Sequence, residues 1–249
     1  RSFDPKVGFI RRKDIVSASF NSPLIYRWKK GIITALETGP AVSVVSNADM
    51  STYLDSSGSL NASIRTRQGH RLFAEVSYGE ERVEEEFDLL DDLTIKPGRY
   101  SGASAYVGAS SSRRKALSGN LSYNWNNGFY GGRQHSVRLG IAKSFGAHVR
   151  VNIGGQGSAL EFAGRDTDWT AAFNAKLGLA WSTRLFLDTV VQANTIEKTG
   201  RVLSRLRWRY RPGSDLFIVY REEMDEGARL RTKERQINLK LTFWYDTSI

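Results

Sequence analysis

Apolar and polar side chains alternate in runs of about ten residues along almost the whole of this 249-residue chain. A period of two is typical of a β-strand, whose successive side chains point to opposite faces of a sheet. Residues 201–210, RVLSRLRWRY, illustrate the pattern: Arg205, Arg207 and Arg209 share one face, and the other face is mainly apolar and aromatic. No convincing long amphipathic helix interrupts these runs, so the sequence predicts an all-β fold with about thirteen strands.

The predicted strands are separated by turn residues, and the alternation is less clean in the first two than in the others. Twelve of their apolar faces fall within residues 15–28, 32–46, 60–64, 72–78, 103–107, 117–125, 137–141, 149–153, 169–181, 185–191, 206–210 and 237–245. Small polar residues dominate the opposite faces, as Ser118, Asn120, Ser122 and Asn124 show. One face of the typical strand therefore suits an apolar environment, and the other suits water.

The thickness of that apolar environment follows from residues 169–181. Trp169 and Trp181 end one continuous apolar face and are twelve residues apart. At ~3.3 Å per residue and a tilt of roughly 40°, this spacing corresponds to about 30 Å, close to the apolar band and aromatic girdles of a transmembrane β-barrel. We therefore predict an antiparallel transmembrane β-barrel.

The predicted connections alternate in length. Short ones lie at residues 67–70, 110–114, 145–147, 182–184 and 211–214, and longer ones at 80–99, 126–134, 159–168, 195–201 and 222–236. Short periplasmic turns and long extracellular loops are typical of bacterial outer-membrane barrels. The alternation predicts that the last strand ends on the periplasmic side and that residues 1–14 lie outside the cell.

An extracellular start and an odd number of strands suggest that upstream strands are missing, because bacterial barrels usually have an even number. We expect residues 1–249 to form a single barrel domain that is the C-terminal part of a longer chain. The whole barrel would then have fourteen or more strands.

Composition narrows the classes of function. The net charge is +10, but the basic residues are scattered singly along strands, whereas acidic residues cluster in connections such as 80–92. This distribution argues against nucleic-acid binding. No stretch approaches the ~18 consecutive apolar residues of a membrane-spanning helix. The chain has no cysteine, which excludes disulfides and thiolate metal sites.

Motifs for catalysis or for metal and cofactor binding are weak. His70, His135 and His148 are the only histidines, and none has a second ligand at metal-binding spacing. There is no GxSxG sequence, and NIGGQG at 152–157 lacks the Lys-Ser/Thr of a phosphate-binding loop. The acidic residues 84–86 suit a solvated face, with divalent-cation bridging to lipopolysaccharide phosphates as the alternative. We expect no catalytic residue, no metal site, no cofactor and no enzymatic activity.

Four stretches carry a resemblance to a known family: SFDPKVGFIRRKD (2–14), IKPGRY (95–100), GFYGGRQHSVRLG (128–140) and RLRWRYRPGSDLFIVY (205–220). In this order they resemble the C-terminal barrel domain of large bacterial outer-membrane proteins. In those proteins a family-nine carbohydrate-binding-type module precedes a barrel domain of unknown function. The resemblance implies that such a module and the first strands precede this sequence, and it implies no activity for the barrel.

Two sets of side chains form the candidate site. The basic set, expected to line the interior, is Arg65, Arg67, Arg150, Lys176, Arg205, Arg207, Arg209 and Lys240. The aromatic set, expected at the membrane interfaces, is Tyr123, Trp125, Trp169, Trp181, Trp208, Tyr210, Phe243 and Tyr245. A basic interior attracts anions, because a narrow channel of low dielectric constant focuses the field. Alternatively, these arginines bond to their neighbours and hold the strand register, and inward-pointing Phe73, Tyr106 and Trp244 partly fill the interior.

The sequence thus predicts a channel or transport subunit of the bacterial outer membrane. Its expected partners are outer-membrane lipid and lipopolysaccharide, and a periplasmic or outer-membrane protein is a further candidate. Nucleic acid is not expected as a partner. One alternative is a non-conducting anchor or scaffold for a periplasmic module or partner protein. A second alternative is a soluble all-β carbohydrate-binding protein, in which the aromatic side chains form a core and a binding platform.

Overall fold

The computed structural model describes residues 14–90, 92–196, 198–226 and 230–244. In this part of the chain no helix is long and apolar enough to cross a membrane. The described strands are β1 (Ile15–Asn21), β2 (Leu24–Arg27), β3 (Ile33–Asn47), β4 (Tyr53–Thr66), β5 (Arg71–Val83), β6 (Phe87–Leu90), β7 (Leu93–Ile95), β8 (Gly98–Ser110), β9 (Leu117–Phe129), β10 (Gly132–Phe145), β11 (Val149–Glu161), β12 (Asp168–Ala180), β13 (Leu185–Asn194), β14 (Thr199–Arg211), β15 (Ser214–Glu226) and β16 (Leu230–Thr242).

Fourteen of these strands form one antiparallel sheet. Its order is β1-β3-β4-β5-β8-β9-β10-β11-β12-β13-β14-β15-β16, and β2 pairs with β3 beside this path. The short strands β6 and β7 form a separate antiparallel hairpin. Within the sheet, β1 pairs with β3 and β5 pairs with β8. Every other described strand of the sheet pairs with the next one along the chain. The prediction of an all-β antiparallel fold is confirmed.

The described residues form sixteen strands where about thirteen were expected, and the difference arises at two places. Residues 15–28 form two strands, because the chain breaks at Ser22 and Pro23, and proline has no N–H group to donate to a ladder. At this break β3 approaches so closely that a Cβ atom on Gly39 would overlap the carbonyl oxygen of Ser22. The hairpin β6–β7 lies within residues 80–99, which the sequence suggested to be a connection without strands.

The prediction of a long connection is wrong at several places, where the structure has a short one. Residues 126–134 reduce to a two-residue turn at Tyr130 and Gly131, whose φ angles of 51° and 84° suit the tight turn of a twisted hairpin. Residues 195–201 reduce to 195–198, and β15 and β16 occupy most of 222–236. The strands extend beyond their apolar stretches because the backbone ladder continues through polar residues, whatever their side chains.

Few apolar side chains of the described residues are removed from solvent. The buried ones are Leu54, Val83, Ile95, Ala159 and Leu160, with at most 8% of their surface exposed. By contrast, the large apolar side chains along the strands remain exposed, for example 77% of Trp169 and 69% of Leu239. Such wide exposure is unusual in a soluble domain, because burial of apolar surface is the main force that stabilises it.

The chain divides into two compact units. Unit one comprises the described residues of 14–109, 122–136 and 159–168, and unit two comprises those of 110–121, 137–158 and 169–244. All five buried apolar side chains belong to unit one. Unit two consists mainly of the strand pairs from β12 to β16, whose registers are continuous except for single irregularities in β14–β15 and β15–β16.

Unit one contains a group of aromatic rings around the turn between β9 and β10. The ring of Tyr130 lies 5.4 Å from that of Phe87, 5.6 Å from that of Tyr100 and 5.0 Å from that of Phe129, measured between centroids. These spacings are favourable for aromatic pairs. These aromatic contacts compensate for the conformational cost of the left-handed backbone of Tyr130, which is uncommon for a bulky residue. Through Phe87, they also attach the hairpin β6–β7 to this turn.

Candidate functional site

A cleft of about 800 Å³ lies within unit two, on one face of β11 to β14, near the connections at 146–148 and 181–184. Five charged side chains line it: Arg150, Lys176, Asp188, Arg205 and Arg207. We call it the basic cleft. It brings together four of the eight basic residues that the sequence analysis selected, and these four lie on three different strands.

The strand register explains how these residues meet. Gly178 of β12 lies opposite Asp188 of β13, which lies opposite Arg205 of β14. Cross-strand partners place their side chains on the same face of a sheet. On the other side of β12, the N–H group of Ala180 donates to the carbonyl of His148 (2.7 Å), which places Arg150 beside Gly178. Arg150 and Asp188 therefore flank Gly178 on the two neighbouring strands, and Arg205 lies beyond Asp188.

The four cations differ in how they are paired. Arg207 donates two hydrogen bonds to Asp215, from Nε to Oδ1 (3.0 Å) and from Nη2 to Oδ2 (2.8 Å). Arg205 makes a single contact with Asp188, with 3.3 Å between Nη2 and Oδ2. Among the described residues, Arg150 and Lys176 have no ion-pair partner, and both side chains are exposed. Arg207 is thus held firmly by Asp215, whereas Arg205 is held by a single contact and Arg150 and Lys176 have no carboxylate partner.

The charge of the cleft is strongly positive. Its lining contains four cations and only one carboxylate, that of Asp188. Cations gathered in a concave site raise the local concentration of anions, and salt weakens this attraction. The apolar ring of Phe186 also lines the cleft, opposite Arg207 in the ladder. The arrangement can attract and hold an anion.

The other four basic residues lie elsewhere. Arg209 approaches Asp215 at 3.5 Å, and Lys240 lies opposite Phe217 in the ladder of β15 and β16. Arg65 and Arg67 belong to unit one. Arg67 donates from Nε to the carbonyl of Gly31 (3.0 Å) and from Nη2 to that of Lys29 (2.8 Å), so its side chain holds the turn between β2 and β3. None of these four lines the basic cleft.

Among the described residues of the aromatic set, five side chains are exposed and two are half-buried. Trp169 and Trp181 are 77% and 55% exposed at the two ends of β12, and Trp208 and Phe243 are also exposed. The exposed residues further include Tyr123, and Trp125 and Tyr210 are half-buried. Tyr245 lies outside the described residues. These positions fit an apolar surface bounded by aromatic rings.

Two hydroxyl groups of the aromatic set have hydrogen-bond partners. The Tyr123 hydroxyl lies 2.7 Å from Nδ1 of His135, and the Tyr210 hydroxyl donates to the carbonyl of Thr242 (3.1 Å). A ring with an apolar body and a bonded polar tip suits a boundary between apolar and aqueous surroundings. His135, whose role the sequence left open, therefore serves as a partner of Tyr123.

Sequence reasoning missed Asp188, Asp215 and Gly178 as parts of the site. The polar face of β13 does include Asp188, but its pairing with Arg205 depends on the register between β13 and β14. The connection at 195–198 sets that register, and the sequence suggested a longer loop there. Asp215 meets Arg207 because of an irregular register between Arg209 and Arg211. Alternation alone gives the face of a residue and not its cross-strand partner.

A second cluster in unit one holds the hairpin β6–β7. Arg165, in the connection between β11 and β12, donates to the carbonyl of Asp92 (2.9 Å) and to its carboxylate (2.7 Å), and it approaches Asp168 at 3.5 Å. The hydrogen bond to Asp92 raises the pKa of the Arg165 guanidinium above its ordinary value. The Arg165–Asp92 pair fastens the tip of the hairpin.

We expect the substitution Arg165→Gln to loosen the hairpin without unfolding the chain. Hydrogen exchange at the amides of residues 93–95 should become at least several-fold faster. The global free energy of unfolding should fall by about 1 kcal/mol or less, because Asp92 is largely exposed. Arg133→Gln, which removes an exposed arginine from β10 of the same unit, should leave the exchange unchanged. Equal rates of hydrogen exchange in Arg165→Gln and Arg133→Gln would show that the Arg165–Asp92 pair does not hold the hairpin.

The described residues contain no group of three or more histidine, aspartate or glutamate side chains arranged to hold a metal ion. Within this part of the chain, the basic cleft is therefore the strongest candidate site. Comparison with known proteins adds nothing to its interpretation. The chain matches no family model, no curated protein and no solved structure.

Proposed function

We propose that this chain is an outer-membrane β-barrel that acts as a channel or transport subunit for anions. The observation that supports the proposal most directly is the exposure of large apolar side chains along one face of the strands. In a transmembrane barrel this face contacts lipid, and the opposite face lines a polar interior. Under this proposal the basic cleft is part of the interior wall.

Contact with lipid accounts for features that a soluble fold explains poorly. The apolar residues Ile237, Leu239 and Leu241 alternate along β16 and are each more than 60% exposed, while Asn238 and Lys240 lie between them. A soluble β-sandwich would bury one such face against a second sheet. This exposure is the reason to rank the membrane proposal above a soluble carbohydrate-binding protein.

The membrane proposal is tested first by gel mobility. The protein extracted from membranes is run on an SDS gel without heating and after boiling. A closed barrel of this kind resists SDS until it is heated, so the unheated sample should migrate differently. Identical mobility, together with solubility after detergent removal, would instead support the soluble alternative.

The proposed anion preference is tested in planar bilayers. With a potassium chloride gradient, we expect a reversal potential that corresponds to chloride permeability above potassium permeability. Replacing Arg150, Lys176 and Arg205 together by glutamine should remove most of the preference, because the field of the cleft then loses its main sources. The matched control combines Arg150→Lys, Lys176→Arg and Arg205→Lys, and it should retain the preference because every charge is conserved. A cation preference in the unmodified protein would refute an anion channel.

A non-conducting anchor is the second candidate function, and one observation favours it. The rings of Phe73 and Tyr106, expected to point into the interior, lie 5.1 Å apart, and Arg71 lies 5.7 Å from the Phe73 ring. Such a contact occupies space on the polar face of β5 and β8. A barrel that passes the gel test and shows no conductance would support an anchor or scaffold for a partner protein.

A further inference from the structure

We propose that the basic cleft binds one small oxyanion carrying two negative charges, such as a phosphate or a dicarboxylate. This inference deepens the proposed function, on which it rests for the idea that the ligand enters from an aqueous interior. It names the class of ligand and the residues that would select it. Four features support it: the charge balance, the space above Gly178, the positions of the cations and the weak pairing of Arg205.

The charge balance of the cleft suggests a doubly charged ligand. Arg207 is held by Asp215 through two hydrogen bonds, with Arg209 also approaching this carboxylate at 3.5 Å, and Arg205 shares its charge with Asp188. Arg150 and Lys176 then remain as the two positive charges that no described carboxylate neutralises. A dianion would neutralise both, whereas a singly charged ion would leave one cation without a counter-charge. Oxyanions suit these side chains, because guanidinium and ammonium groups donate several hydrogen bonds to them.

The space for the ligand lies above Gly178. A Cβ atom on this residue would meet only Oδ1 of Asp188 at 3.6 Å and the carbonyl oxygen of Arg150 at 3.9 Å, which are ordinary contact distances. Neither a positive φ angle nor close packing of a neighbouring strand therefore requires glycine at position 178. The absence of a side chain leaves the floor of the cleft open between Arg150 and Asp188.

The cations surround this open floor. Arg150 lies on β11 and Arg205 on β14, so their backbones are three strand spacings apart, or about 14 Å. Lys176 lies two residues from Gly178 along β12, which corresponds to about 7 Å on the same face. Long, flexible side chains thus rise on two sides and at one end of the floor. A compact ligand can contact them together, while a large polyanion exceeds the cleft.

The single contact between Arg205 and Asp188 makes Arg205 a third contributor. Both side chains are about half exposed, and exposed ion pairs of this kind contribute little free energy. A dianion in the cleft can therefore compete with Asp188 for the Arg205 guanidinium. Asp188 also repels the ligand, so it limits how tightly the ligand is held. A channel that must release what it binds benefits from such a limit.

The test measures binding directly, with the protein in detergent and at constant ionic strength. Inorganic phosphate at pH 8 and succinate are titrated in a calorimeter, and acetate is the singly charged comparison. We expect saturable binding of one dianion per chain and at least about tenfold weaker binding of acetate. Binding of both dianions would define the site by charge alone, and binding of phosphate alone would define it as a phosphoryl site. Equal affinity for acetate, or no saturable binding, would overturn the proposal.

Amino-acid substitutions distinguish specific binding in the basic cleft from general attraction of anions to positive charge. Arg150→Gln and Lys176→Gln should each weaken binding about fivefold or more, and Asp188→Asn should strengthen it about threefold by releasing Arg205. Gly178→Val fills the floor without changing any charge, and it should weaken binding at least about tenfold. Gly157→Val is the matched control, because a Cβ atom on that β11 glycine meets no atom within 4 Å, and it should bind as the unmodified protein does. Full binding by Gly178→Val would show that the cleft is not the site.

The binding and conductance measurements can fail independently. Saturable dianion binding that depends on Gly178 and Lys176, in a protein that does not conduct, would refute the channel and retain the site. Anion-selective conductance without saturable binding would retain the channel and refute the site.

Discussion

Replacing Ala175 by arginine is expected to destabilise the protein strongly in a lipid bilayer. Ala175 lies in the middle of β12, six residues from Trp169 and from Trp181, and it pairs with Val191 on the apolar face. An arginine facing lipid at the bilayer midplane costs about 2–4 kcal/mol. We expect the folding free energy, measured by urea titration in lipid vesicles, to fall by that amount, and the heat-sensitive band on the gel to weaken.

The control for this prediction is the neighbouring residue. Lys176 already carries a cation on the opposite face of the same strand, so Lys176→Arg should change the folding free energy by about 0.5 kcal/mol or less. Ala175→Leu should also be tolerated, because it adds apolar surface where lipid is expected. If Ala175→Arg proved as stable as Ala175→Leu, the apolar face of β12 would be in contact with water and not with lipid.

The second large effect is expected at a pair of glycines between β8 and β9. A Cβ atom on Gly102 would overlap the Cα atom of Gly128, and one on Gly128 would overlap the Cα atom of Gly102. The overlapping atoms belong to the backbone and cannot move as a flexible side chain does. Gly102→Ala therefore has to separate the two strands, and we expect a loss of about 3 kcal/mol in the free energy of unfolding.

The same strand separation would break a nearby hydrogen bond. The side chain of Asn127 accepts from the N–H group of Ala103 at 2.8 Å, beside the glycine pair. Gly58→Ala in β4 is the matched control, because no atom lies within 4 Å of a Cβ there, and it should be neutral or slightly stabilising. A neutral Gly102→Ala would show that the close approach of the two strands is not required. Both free energies can be measured by the urea titration used for Ala175.

The sequence predicts the elements of this fold well, because alternation is a local property. Leu206, Trp208 and Arg207 fall on the expected strand, and the faces of β12 follow from the residues between its two tryptophans. The ends of the strands are predicted less well. Tyr130 and Gly131 make a two-residue turn where nine residues were expected to be a loop, because a backbone ladder can continue after the apolar pattern has stopped.

The candidate site could be predicted only in part. Alternation places Arg150, Lys176 and Arg205 on polar faces, but it does not tell which of them are near one another. That depends on the register of four strands, which follows from the lengths of their connections. The charge balance of the cleft also depends on Asp215, which reaches Arg207 through an irregularity in the ladder. Cross-strand position, and not residue type, determines which basic residues form a site.

The order of the strands has a consequence for how such a protein can change in evolution. Since most strands pair with their neighbours in the chain, each hairpin brings its own pairing partner and few distant segments must meet. A pair of strands can then be gained or lost by a local duplication or deletion, and the remaining pairs keep their neighbours. The hairpin β6–β7 lies between β5 and β8 in the chain while those two strands still pair, so it leaves the order of the rest of the sheet unchanged.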